Sequence, residues 1–230
     1  MATSSAPGSP GPDAQASGGP RTLRRLGLFG GSFDPVHTGH VGIAREALRV
    51  ASLDRIWFLP AAQPPHKPER RLAGPEDRVA MLELALAEEP RMEVRCDELE
   101  RGGTSWTIDT VRALEGEAEE LWLLIGSDNL PGLPSWREVE ELLERVQPLV
   151  AARHEDAATA LAETARQLGG EAGRRLGSAL IAHEPLPGAS TQVREALLRG
   201  EPAPHLDPAV AAFVEHRGLY GAAPQAPGEA

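Results

Sequence analysis

Two histidines, His37 and His40, close the string Gly30-Gly31-Ser32-Phe33-Asp34-Pro35-Val36-His37-Thr38-Gly39-His40. The string follows directly on the apolar run Leu26-Gly27-Leu28-Phe29. That order reads as a buried strand, a glycine-rich turn and the start of a helix. The first N–H groups of a helix have no intrahelical partner, and the helix dipole favours an anion beside them. Gly30 and Gly31 let the backbone approach a ligand closely. The i, i+3 spacing puts both imidazoles on one helix face, and each can donate a hydrogen bond to a phosphate. The string is neither G-x-x-x-x-G-K-[ST] nor G-x-G-x-x-G, so it is not a P-loop or the dinucleotide fingerprint. A loop with two surface histidines is the plainer alternative. A transition metal is another, but no third His, Cys or carboxylate stands near with metal spacing.

These groups need a frame to hold them. Short apolar runs predict strands over 26–29, 55–59, 92–96, 120–125, 148–152 and 178–182. Four of the runs are nearly continuous, as parallel strands covered on both faces require. Helical patterns lie between and after them, over 40–51, 75–89, 107–115, 135–145, 156–168, 190–199 and 207–217. Pro75 opens one at its first position, Ser135 with Glu138 suggests a capping box on another, and Asp207-Pro208 with Gly218 brackets the last. Alternation of strand and helix predicts an α/β fold: a doubly wound, mostly parallel, Rossmann-like sheet in a single domain.

In such a fold ligands lie beyond the carboxyl ends of the strands, where the strand order reverses. The segments that follow strands are therefore the ones to read. They include Gln63-Pro64-Pro65-His66-Lys67, Gly102-Gly103-Thr104-Ser105-Trp106-Thr107, Gly126-Ser127-Asp128-Asn129, Pro134-Ser135-Trp136 and Ala189-Ser190-Thr191-Gln192-Val193-Arg194. Ser190 and Thr191 can cap the next helix, and Arg194 can return to an anion at the same end in fork geometry. Trp57 and Trp122 sit inside strands and read as core. Trp106 and Trp136 stand at helix starts and read as packing or as a stacking platform for a flat ring.

Composition narrows the class. Of 230 residues, 23 are Lys or Arg and 34 are Asp or Glu, with no basic run, which makes duplex nucleic acid a poor partner. No apolar run approaches the ~20 residues of a membrane span. The single cysteine, Cys96, excludes an internal disulfide framework and fits a reducing cytoplasm. Residues 1–22 are dominated by Ala, Ser, Gly and Pro and are expected to be a disordered tail, with a transit peptide as the weaker alternative. The same holds for 221–230, leaving 23–220 as the globular unit. An oligomer is left open.

The segment around His37 and His40 resembles the H-x-G-H signature of the nucleotidyltransferase superfamily. Over almost the whole globular unit the chain is similar to bacterial nicotinate-nucleotide adenylyltransferases. The string above, Gln63-Pro64-Pro65-His66-Lys67, Ser105-Trp106-Thr107-Ile108-Asp109-Thr110, Ile125-Gly126-Ser127-Asp128, Pro134-Ser135-Trp136 and Ser190-Thr191-Gln192-Val193-Arg194 carry the likeness in the family's order. The resemblance implies transfer of AMP from ATP to nicotinate mononucleotide, with Mg2+ on the ATP phosphates and no metal held by the protein. It implies that His37, His40 and Arg194 hold the triphosphate. Backbone N–H groups of Gly31, Ser32 and Phe33 would extend that cradle. ATP contacts also fall to Gly30, Gly126, Asp128, Ser190 and Thr191, and acceptor contacts to Trp106, Thr107, Trp136 and Lys67. Two positions depart from the family: Ala189 stands for a serine and Trp106 for a tyrosine. The rival readings are a sibling transferase, such as one acting on phosphopantetheine or a cytidylyltransferase, and a catalytically silent nucleotide-binding regulator.

Overall fold

Along the first strand of the computed structural model, Leu26 and Leu28 face one hydrophobic layer and Gly27 faces the other. The structure describes residues 23–65, 72–153, 155–181, 189–203 and 205–222. Six strands form one sheet: β1 (Leu23–Gly31), β2 (Arg55–Pro60), β3 (Met92–Val94), β4 (Ala118–Gly126), β5 (Gln147–Ala151) and β6 (Leu180–Ile181). All pair in parallel, in the order β3-β2-β1-β4-β5-β6. Side chains alternate between faces along a strand, so each face collects its own set. Ile56, Phe58, Leu124 and Leu149 pack under α1 (Thr38–Val50), α2 (Pro75–Leu86), α8 (Ser190–Leu198) and α9 (Pro208–His216). Leu26, Leu28, Trp57, Leu123 and Ile125 pack under α4 (Thr107–Ala113), α5 (Val139–Arg145), α6 (Ala157–Leu168) and α7 (Gly170–Gly177). The expected doubly wound parallel sheet is therefore present. A Cβ on Gly27 would lie 2.8 Å from Ile56 Cγ1, so only glycine fits under that layer.

Several local expectations are corrected. Gly30 and Gly31 end β1 rather than forming a turn, because their backbone pairs with Leu59 and Pro60. Cys96 is not in β3; it precedes the short helix α3 (Asp97–Arg101). The capping box of Ser135 and Glu138 does not form. Pro131 and Pro134 hold Ser127–Ser135 as a 3-10 segment, and Ser135 Oγ donates back to the Gly132 carbonyl at 2.7 Å. Glu138 takes a left-handed backbone and gives its carboxylate to Arg112 and Arg137, so α5 begins at Val139. Helix α2 stops at Leu86, three residues short of the expected end. Trp57 is core, whereas Trp122 is half-buried with the Arg25 guanidinium 5.9 Å from its ring.

Helix α7 has no counterpart in the sequence reading. Gly169 and Gly170, both at positive φ, turn the chain back from α6, and Gly173 then meets that helix backbone to backbone. A Cβ on Gly173 would stand 2.2 Å from the Ala165 carbonyl oxygen, which cannot swing away as a side chain can. A Cβ on Gly177 would lie at an ordinary 3.7 Å from Ala165 Cβ. Gly173→Ala is therefore expected to destabilise by at least ~2 kcal/mol through overpacking. Gly177→Ala is expected to be neutral or to stabilise by up to ~1 kcal/mol through helix propensity. Urea unfolding of the two variants checks the contrast, and equal midpoints would contradict the close α6–α7 contact.

Candidate active site

The strand order reverses between β1 and β4. Connections leaving these two neighbours run to opposite faces of the sheet, so their first residues part and leave a crevice. A cleft of about 280 Å³ lies there, reaching Gly30, Gly31 and Ser32 from β1 and Gly126, Asp128 and Asn129 from β4. His40 of α1 and Ser190 and Thr191 of α8 close one side of it. Trp106, Thr107 and Trp136 line it as well. Most of the residues expected to bind ligand are thus brought to one concave surface, although they span the chain from 30 to 191.

The loop after β1 is held from behind. The Asp34 side chain is 1% exposed, and its Oδ1 accepts from the Ala73 N–H at 3.0 Å and from the Tyr220 hydroxyl at 2.7 Å. Arg78, equally buried, donates to the Ser32 carbonyl at 2.9 Å and to the Ala73 carbonyl at 3.2 Å. Burial pushes the Arg78 guanidinium below its ordinary range, and Asp34 counters that by favouring the charged form. Arg194 donates to the Asp34 carbonyl at 2.5 Å and to Thr191 Oγ1 at 3.0 Å. Phe33 is core, edge-on to Phe29 at 5.6 Å, so only its backbone is available to a ligand. Asp34 does more than cap a turn: it joins the loop to α2, α8 and the C-terminal segment.

The histidines occupy the start of α1 in two layers. His40 lines the cleft, and His37 lies beneath with 2% exposure and its ring centroid 3.9 Å away. The His37 backbone N–H donates to His40 Nδ1 at 3.3 Å. An accepting Nδ1 leaves Nε2–H as the donor of a neutral His40. Both ring nitrogens of His37 are buried with no hydrogen-bond partner among the described residues. Burial is the main cause that lowers the His37 pKa to about 3, with Arg153 and His205 adding to it. Burial likewise holds His40 well below its ordinary value, helped by His37 and Arg153.

Other residues depart from simple expectation. Ser190 does not cap α8: its hydroxyl donates to the Pro35 carbonyl at 3.0 Å, and Ala189 takes the N-cap position with no side-chain acceptor. The family serine missing at 189 would have supplied one. The Trp106 N–H is bonded to the Thr104 carbonyl at 3.1 Å, so donors at the start of α4 begin at Thr107. Segments 61–65 and 102–107 form one wall, joined by Ser105 N–H to the Gln63 carbonyl and Ala62 N–H to Ser105 Oγ, both at 2.9 Å. Arg137 stands over the Trp106 ring at 5.7 Å. Lys67 and His66 lie outside the described residues.

Sequence reasoning misses three residues. Arg153, just past β5, lines the cleft and pairs with Asp128 at 3.4 Å; its place after a strand was the available signal. Arg78 reads from sequence as an exposed helix charge, and Tyr220 only as the end of the globular unit. Among the described residues no three His, Cys, Asp or Glu side chains gather as a metal cage, and no helix is long and apolar enough to cross a membrane.

A cytidylyltransferase-like family model matches residues 28–196, from β1 through most of α8. With the cleft at the sheet's reversal point, this defines the class as a nucleotidyltransferase. A Shouchella clausii protein is 38% identical over 203 residues, covering 86% of this chain and 98% of its own length. A Bordetella petrii protein is 40% identical over 200 residues, covering 86% and 100%. Both bear the name probable nicotinate-nucleotide adenylyltransferase. Plasmodium falciparum nicotinic acid mononucleotide adenylyltransferase, solved with NaAD, shares the fold with a TM-score of 0.66 at 15% identity, covering 86% of this chain and 98% of that one. The chain belongs to the nicotinate-nucleotide adenylyltransferase family.

The state of the histidine pair can be tested by its sign in pH dependence. Below about pH 6.5 the unfolded chain protonates His37, whereas the folded protein resists until about pH 3. Stability from this group is thus complete above pH 6.5 and is lost as pH falls through that window. The His37 and His40 ring signals are expected to stay neutral in NMR titrations down to about pH 5. Protonation of either ring above that pH would show that the pair is solvated.

Proposed function

We propose that this chain transfers AMP from ATP to nicotinate mononucleotide, forming deamido-NAD and pyrophosphate. The carrying observation is the cleft at the β1–β4 reversal, with neutral His40 and Arg153 at its wall and Arg194 one hydrogen bond behind the lining residue Thr191. The nucleophile is a phosphomonoester whose second pKa is about 6, so it is already largely dianionic near neutrality. No general base is needed, and the task is alignment of two polyanions and stabilisation of charge on the leaving pyrophosphate. His37, His40 and Arg194 are assigned to the triphosphate, with His40 nearest the α-phosphate. His40 lines the cleft directly, and His37 stacks behind it with ring centroids 3.9 Å apart. Backbone N–H groups of Gly31, Ser32 and Phe33 complete the cradle, with Gly30, Ser190 and Thr191 beside it and Gly126 and Asp128 toward the nucleoside. ATP enters as its Mg2+ complex, the ion held by phosphate oxygens and water.

The acceptor end falls to Trp106, Thr107 and Trp136, with Lys67 as an added cation. A pyridine ring can stack on Trp136, and donors at the first turn of α4 suit a carboxylate. A carboxamide would turn its own N–H2 toward those donors and leave a group unpaired, at roughly 1–3 kcal/mol. With the Trp106 N–H already occupied, one such mismatch remains.

The direct test is pyrophosphate release from ATP with nicotinate mononucleotide, nicotinamide mononucleotide or phosphopantetheine as acceptor. The acid is expected to exceed the amide about tenfold or more in kcat/KM. Equal values would remove the nicotinate assignment, and turnover with phosphopantetheine alone would favour the sibling transferase. His40→Ala is expected to lower kcat by about 10²–10³ in a folded protein, by analogy with loss of an oxyanion donor. A folded variant with near-wild-type kcat would falsify the role given to His40.

A further inference from the structure

Asp34 carries two kinds of contact at once. Its carboxylate takes the Tyr220 hydroxyl at 2.7 Å, and its main-chain oxygen takes Arg194 NH1 at 2.5 Å. The second nitrogen of Arg194 is steadied by Thr191 Oγ1 at 3.0 Å. A residue near the end of the described residues is therefore linked, through one buried aspartate, to the arginine assigned to the triphosphate. The separation along the sequence between Tyr220 and Asp34 is 186 residues.

The placement of Tyr220 is constrained on its own account. Its φ of 57° lies in the left-handed region, which a bulky residue holds only where its surroundings fix it. The surroundings do so. Gly221, at φ 78°, passes so near α8 that a Cβ there would stand 2.8 Å from Leu198 Cδ1. Leu219 and Tyr220 pack against the layer that holds α8 and α9. A second contact ties the same C-terminal segment to the loop: the Thr38 N–H, at the first position of α1, donates to the His205 carbonyl at 2.8 Å. The C-terminal part of the chain thus meets the histidine string at two places, Asp34 and Thr38. Arg78 fixes the loop from the α2 side through the Ser32 carbonyl at 2.9 Å.

We infer that Tyr220 is a positioning residue for ATP: its hydroxyl fixes Asp34, and the Asp34 carbonyl fixes the Arg194 guanidinium facing the triphosphate. The inference rests on the proposed adenylyl transfer. Removing the hydroxyl leaves the ring and its packing in place but takes a donor from a buried carboxylate. A hydrogen bond to a charged group is among the stronger ones, and its loss should reach ATP through Arg194 without touching the acceptor wall.

The test is Tyr220→Phe in the full chain, read by calorimetric ATP binding without acceptor and by steady-state kinetics. The expected result is about tenfold weaker ATP affinity and a matching rise in ATP KM. The acceptor KM should hardly move, while the thermal midpoint falls by a few degrees because a buried carboxylate loses a donor. ATP affinity within twofold of the unmodified chain would overturn the inference. So would parallel rises in both KM values, since they describe a merely structural tyrosine. Arg194→Ala and the double variant then complete a cycle. Once Arg194 is gone, Tyr220→Phe should weaken ATP no further, whereas independent, additive losses would exclude the route through Arg194. If the unmodified chain binds no ATP, it is the proposed function that fails, not this coupling.

Discussion

A buried carboxylate at the tip of a strand-end loop sets the geometry of everything around it. Asp34 has almost no contact with water, so its oxygens must be met by protein donors. Those donors come from three places that are distant in sequence: Ala73 ahead of α2, Arg194 on α8 through the adjacent carbonyl, and Tyr220 near the chain end. The need to satisfy one group therefore draws three elements onto the loop. Without such anchors a loop beyond a strand would be among the more mobile parts of the fold. Here its backbone is held by Arg78 at the Ser32 carbonyl and by Arg194 at the Asp34 carbonyl.

The electrostatics follow from that burial. The histidines are kept neutral by desolvation and by nearby Arg153, which leaves each with one N–H donor and no charge. Positive charge enters instead through guanidinium groups, which stay protonated when partly buried. This division suits a site for polyanions. In the proposed reaction arginines would attract and orient the phosphates, and neutral imidazoles would need no change in protonation as charge shifts along the phosphate chain. The chain as a whole is acidic, with a formal net charge of −11, and the cleft itself sets Arg137 and Arg153 against Glu98 and Asp128.

The reversal of strand order supplies the remaining constraint. Helices α1 and α2 cover one face and α4 to α7 the other, so the ends of β1 and β4 cannot both be roofed by the same connection. The chain then brings α8 and α9 back to the first face, which is what sets Ser190, Thr191 and Arg194 beside the histidine loop. The 3-10 segment Ser127–Ser135 has the corresponding effect on the acceptor side, because its two prolines prevent an ordinary helix and leave Trp136 at the cleft wall.

The sequence by itself determined the sheet, the histidine string and the segments that gather at the cleft. Near-continuous apolar runs can only be satisfied by burial on both faces, and the glycine–histidine string pointed to its chemistry through its resemblance to the nucleotidyltransferase signature. Local signals failed where a longer-range partner won: Glu138 serves Arg112 instead of a capping box, and Ser190 serves Pro35 instead of its own helix. Helix α7 was hidden because its glycines read as breakers, whereas in the fold Gly173 permits contact with the α6 backbone. Arg78 and Tyr220 carry no functional signal along the sequence, and Arg153 only its place after a strand. Their roles depend on which atoms they meet across the fold, and no spacing along the chain encodes a hydrogen bond between residues 34 and 220. Tertiary structure alone decided how the loop is held, because a buried carboxylate takes its donors from whatever elements packing brings to it.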